Sequence, residues 1–113
     1  MTIQYNANYI ETMPFSDTCF QVVCATSTEE TATIPGTDTD FYQAYFEYAS
    51  NSNVFVCKNA TPVVPASGNV GTQPYNEFKP IKRYVRGGDV LHFISPDSGT
   101  TYIGVSLRKL QGS

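Results

Sequence analysis

The stretch Phe41-Tyr42-Gln43-Ala44-Tyr45-Phe46-Glu47-Tyr48-Ala49 decides the fold class, together with Ser50-Asn51-Ser52-Asn53 and Val54-Phe55-Val56-Cys57-Lys58 that follow it. Read with a period of two, it sets Tyr42, Ala44, Phe46 and Tyr48 on one face and Phe41, Gln43, Tyr45 and Glu47 on the other. A helix competes, because Phe41 and Tyr45, or Tyr42 and Phe46, are also i, i+4 pairs and Asp40 stands where a cap would. The strand reading is preferred. Tyr and Phe suit a pleated sheet, and turn residues with a second β-rich run follow at once. A hairpin is therefore expected, with 41–49 returning through 54–58.

Short runs of the same kind lie on either side. Residues 17–25 (DTCFQVVCA) read as a strand, and 28–34 (TEETATI) oppose Thr31 and Thr33 to Ala32 and Ile34 before the Pro35-Gly36 turn. Residues 81–86, 89–94 and 101–107 read as three more strands, the last entered through a Pro96-Asp97-Ser98-Gly99 turn as a closing hairpin. Residues 59–80 hold Pro62, Pro65, Pro74 and Pro80 and read as one long loop; 108–113 read as a polar tail. Residues 1–16 carry Tyr5, Tyr9, Ile10 and Phe15 among polar residues and read as an extended arm. The expected fold is all-β: a single small β-sandwich or barrel of six to eight short antiparallel strands over 17–113, with an extended N-terminal arm over 1–16. The arm's apolar side chains make it a candidate interface, ordered by a neighbouring molecule. Its alternative is a first strand of the sandwich itself.

Composition sets further bounds. A chain of 113 residues with 41% hydrophobic and 15% charged residues makes one globular domain with a polar, weakly charged surface. No apolar run is long enough for a membrane helix, and the first fifteen residues lack the basic and apolar regions of a secretory signal. Production in the cytoplasm is expected, and three cysteines, Cys19, Cys24 and Cys57, are expected reduced. Cys19 and Cys24 fall on opposite faces of their strand. The net charge of −3 divides into −7 for residues 1–57, which have no Lys or Arg, and +4 for residues 58–113. Halves on different faces would make a dipole; a β domain that interleaves them would mix the signs, which is the preferred reading.

No catalytic constellation emerges, and no enzyme activity, cofactor or metal is expected. His92 is single and lies inside DVLHFI, where a partly buried strand histidine is expected. No nucleophile elbow, phosphate loop or dinucleotide fingerprint occurs. Glu29-Glu30 and the Asp38/Asp40 pair read as loop charges, and Asn59-Ala60-Thr61 as a chance sequon. Lys79, Lys82, Arg83 and Arg86 interleave with Tyr75, Phe78 and Tyr84, the pattern that binds single-stranded nucleic acid or another polyanion. A pI near 4.9 opposes nucleic acid. Alternation puts Lys82, Tyr84 and Arg86 on one face and Arg83 on the other, so the four bases do not make one patch. A charge-protected or partner-facing strand edge is the preferred reading.

The order of these features over residues 28–110 resembles the small β-sandwich accessory (decoration or cement) proteins of tailed-bacteriophage virions. The matching pieces are Asn53-Val54-Phe55-Val56, Gly88-Asp89-Val90-Leu91-His92-Phe93-Ile94-Ser95 and Tyr102-Ile103-Gly104-Val105-Ser106-Leu107. Asp40-Phe41 stands where relatives often have a basic residue leading the aromatic strand. The resemblance implies a virion structural protein made in the host cytoplasm that binds the outside of an icosahedral head. Its expected partners are the major capsid protein and itself, as a trimer first and a dimer next, with no nucleic acid and no membrane. Alternatives are a receptor- or carbohydrate-binding module of a tail fibre, with Tyr5, Tyr42, Tyr45 and Tyr75 as a stacking surface, or a head–tail junction protein.

Overall fold

Alternating burial dominates every long strand. In the computed structural model, which describes residues 15–64 and 76–110, eight strands run β1 (Thr18–Cys24), β2 (Glu30–Thr33), β3 (Phe41–Tyr48), β4 (Phe55–Lys58), β5 (Glu77–Phe78), β6 (Lys82–Arg86), β7 (Val90–Ile94) and β8 (Thr101–Lys109). On β3, Tyr42, Ala44 and Phe46 are buried and Phe41 and Glu47 exposed, the two faces expected of a strand and not of a helix. On β8, Ile103, Val105 and Leu107 are buried in the same rhythm.

The strands form two antiparallel four-stranded sheets, in the orders β1-β8-β3-β6 and β2-β7-β4-β5. They share one core. Val22, Phe46, Val85, Ile103 and Leu107 from the first sheet meet Val56, Leu91 and Phe93 from the second, and Phe46 meets Phe93 edge-on with ring centroids 6.3 Å apart. This is a β-sandwich, and the order is that of an eight-stranded jelly roll: β1 lies beside β8, β2 beside β7, β3 beside β6 and β4 beside β5.

That winding corrects both expected hairpins. Each edge of β3 is occupied, by β8 and by β6, so residues 54–58 do not return beside it. Residues 50–53 carry the chain to the other sheet instead. Ser52 donates its N–H and its hydroxyl to Ala49 O at 3.2 and 2.7 Å, Asn51 takes φ 61°, and Val54 arrives in the core with no exposure. β7 and β8 likewise lie in different sheets. Among the described strands, β4 and β5 alone are both consecutive and paired. β5 lies within the stretch expected to be loop, and its pairs are Phe55 with Phe78 and Val56 with Glu77. Arg108 and Lys109, expected in the tail, end β8.

The same winding answers the charge question. In the β1-β8-β3-β6 sheet, strands from the acidic and basic halves alternate, and in the other sheet β2 of the acidic half pairs with β7 of the basic half, so the signs are mixed. Lys109 donates its N–H to the Asp17 carboxylate at 2.5 Å and its ammonium lies 3.2 Å from Asp40; Glu29 meets His92. Gly87 marks the tightest crossing. A Cβ there would stand 2.1 Å from Thr37 O, and its N–H donates to Asp40 O at 2.8 Å.

Candidate functional site

The outward face of the β1-β8-β3-β6 sheet gathers aromatic and cationic side chains. Register places Tyr45 opposite Lys82 on one side and Ser106 on the other; Gln43 lies between Tyr84 and Arg108, and Phe41 opposite Arg86. Residues opposite one another share a face, so these rows form one surface. Lys82 Nζ lies 6.0 Å and Arg108 Cζ 5.9 Å from the Tyr45 ring centroid, within the range of cation–π attraction. Tyr84 is 77% exposed, and Gln43, Lys82, Arg83, Tyr84 and Leu110 line a shallow depression beside it. Lys82, Arg86 and Arg108 outnumber Glu47 on this face, so the surface is net positive and rich in hydrogen-bonding groups, suited to contact with an extended acidic or polar partner.

Of the four bases singled out in sequence, Lys82 and Arg86 belong to this face. Arg83 turns away and donates from Nε to Glu77 Oε1 at 2.7 Å, joining the edge strands β6 and β5 of the two sheets. Lys79 lies in the β5–β6 connection with φ 48°. Its N–H donates to Val54 O at 2.9 Å, and its ammonium stands 5.7 Å from the Tyr48 ring and 5.9 Å from the Phe78 ring. The division of the bases expected from alternation therefore holds. Phe15 is 99% exposed. Tyr5, Tyr9, Ile10 and Tyr75 lie outside the described residues. Tyr42, named as a stacking residue, is in the core, because its position on β3 faces inward; Tyr45 is the outward one. Sequence reasoning missed Arg108, Gln43 and Phe41. Their outward parity was legible, but their placement beside β6 depends on which strands are neighbours.

Elsewhere the polar groups hold turns together. Thr37 N–H and hydroxyl donate to Asp40 Oδ2 at 2.8 and 3.3 Å, and the backbone bond leads the causes that hold the Asp40 carboxyl below its usual range. Asn53 does the same for Asp97, its side-chain amide and N–H donating at 2.9 and 2.8 Å. Asn59, of the sequon, is tied at both ends: Nδ2 to Asp89 Oδ1 at 3.2 Å, and Oδ1 from Val90 N–H at 2.8 Å. His92 is a strand histidine with its side chain 17% exposed. All three cysteines are free; Cys24 and Cys57 are buried and Cys19 is exposed. Burial pushes the Cys24 thiol up to about 11 and raises that of Cys57 as well. Cys57 donates to Ala60 O at 2.8 Å.

A cleft of about 310 Å³ opens between the β6 edge and the β4-β5 edge, with Phe46, Val56, Val85 and Leu91 among its walls and Lys58, Glu77 and Arg83 at its rim. Among the described residues, no three His, Cys, Asp or Glu side chains group to hold a metal ion. No protein-family model, curated protein or solved structure matches the chain, so the functional reading rests on its geometry.

Proposed function

We propose that this protein is a bacteriophage virion structural protein: a capsid decoration or cement subunit that binds the outer surface of an icosahedral head and stabilises it by contact area. The observation that carries this reading is the open face of the β1-β8-β3-β6 sheet, where Tyr84 stands exposed with Lys82 and Arg86 on its own strand and Tyr45 and Arg108 on its neighbours. Tyr and Arg are the side chains that anchor interfaces, since they bring large contact area with charge or hydrogen bonds at low entropic cost. The jelly roll adds support by analogy alone, because the arrangement recurs in viral capsid and lectin domains. No enzyme activity, cofactor, nucleic acid or membrane enters this reading. The partner is the major capsid protein, met through an acidic surface, and self-association accompanies binding.

The test is rebinding of the purified protein to empty capsids. The double variant Lys82→Glu/Arg86→Glu is expected to lower the affinity at least about a hundredfold by placing like charges against the acidic partner. Equal rebinding by wild type and variant would reject this face as the docking surface. One observation favours a second reading, a carbohydrate-binding module: Tyr84 is exposed as a stacking platform beside Gln43 and Lys82, and lectin domains share the jelly roll. Binding to a glycan array that is lost in Tyr84→Ala, with no capsid binding, selects it.

A further inference from the structure

The four sheet edges are not protected alike. An unpaired edge invites pairing with another chain, and proteins blunt edges with charge, proline or shortness. β6 carries Lys82, Arg83 and Arg86 among its five residues. β5 has two residues and is followed by Pro80; β2 has four and is followed by Pro35. β1 has none of these devices within it, and Asp17, just before it, is turned toward β8, where its carboxylate accepts from Lys109 N–H. The strand is seven residues long, Thr-Cys-Phe-Gln-Val-Val-Cys, without charge, proline or glycine, and among the described strands β8 is its one neighbour.

The hydrogen-bond phase tells which groups line that edge. Leu110 N–H donates to Phe41 O at 2.8 Å, so alternation turns the backbone of Leu107, Val105, Ile103 and Thr101 toward β1. Those residues register with Thr18, Phe20, Val22 and Cys24. Cys19, Gln21 and Val23 are left with N–H and C=O directed along the outer edge, and the side chains of all three are exposed. The three are centred on Gln21. Antiparallel pairing about a two-fold axis there sets Gln21 against its own copy and Cys19 against Val23, with both cores on the same side of the joined sheet. No charge opposes a like charge in that register.

We infer that β1 pairs with β1 of a second copy, antiparallel about Gln21, so that two four-stranded sheets become one continuous sheet across a two-fold axis. This inference does not rest on the capsid reading, because the dimer forms in the free protein. It favours the dimer over the trimer implied by the resemblance.

Cys19 makes the register testable, since the other two thiols are buried. Hydrogen-bonded antiparallel partners have Cα atoms about 5.5 Å apart, inside the range a disulfide spans. In the full-length Val23→Cys variant, the introduced thiol and Cys19 of the second copy, each losing one proton and one electron to diamide, should form a covalent dimer on a non-reducing gel. Wild type and Val23→Cys/Cys19→Ser should not. In sedimentation, wild type should run at twice the 12.4 kDa chain mass. Gln21→Lys should weaken dimerisation about tenfold or more, since it sets like charges face to face. A wild type that stays monomeric at high concentration overturns the inference, and so does one that dimerises only after residues 1–14 are removed, which would mean that its own chain covers the edge. A dimer that Val23→Cys does not cross-link, or one still cross-linked without Cys19, overturns the register.

Discussion

On the outward face of the β1-β8-β3-β6 sheet, Tyr84 stands clear of the protein between Lys82 and Arg86; on the outward face of the β2-β7-β4-β5 sheet, Cys57 is 5% exposed although it too points away from the core. The second face also carries half-buried Val90, His92, Ile94 and Phe55, with Phe55 against Phe78 at 5.1 Å between ring centroids. It is the more apolar of the two, and the chain leaving β4 turns back so that Ala60 O meets the Cys57 thiol. The first face lies open, with polar and cationic tips around exposed Phe41 and Val23. A sandwich can thus commit one outer surface to its own stability and leave the other for a partner: apolar side chains covered on the second face serve the fold, while Phe41 and Val23, exposed among solvated cations and Tyr tips, are left to gain from a partner.

The largest effect expected is on what the two faces share. Phe93 is fully buried and meets Phe46 across the sandwich. Phe93→Ala should cost about 3–5 kcal/mol in urea unfolding and weaken both faces in one transition. Separate transitions for the two sheets would show that they do not share one core.

The next prediction sharpens the contrast in cover. Cys19 on the open face should react with a thiol reagent in the native protein, while Cys24 and Cys57 react only on unfolding. The buried thiols also set a pH dependence. Burial raises Cys24 from 9.0 to about 11, so the fold favours its neutral form. That stabilisation is complete below about pH 9 and is lost as pH rises toward 11. A midpoint of thermal unfolding that rises over that interval would contradict the sign.

The smallest effect on stability is expected on the open face. Tyr84→Ala should change unfolding by no more than about 0.5 kcal/mol, because the ring lies in solvent. A loss several times larger would show Tyr84 serving the fold rather than a partner.

Much of this was readable along the chain. Most strand positions and the division of β3 into two faces follow from alternation, and the parting of Arg83 from Lys82 and Arg86 follows from the same rule. The candidate face was only half readable. Lys82, Tyr84 and Arg86 declare themselves on one strand, whereas Arg108 and Gln43 join them through pairings between distant segments. β5 was missed because two residues carry no periodicity; pairing with β4 makes them a strand.

By itself, the amino-acid sequence determined the all-β class and which side chains of a strand share a face, because a pleated chain turns successive side chains to opposite faces wherever it lies. Only the tertiary structure decided which strands are neighbours. A turn such as 50–53 has the same chemistry whether it closes a hairpin or crosses between sheets. The choice lies with long-range ladders, above all β8, which runs between β1 and β3 and so denies β3 its expected partner.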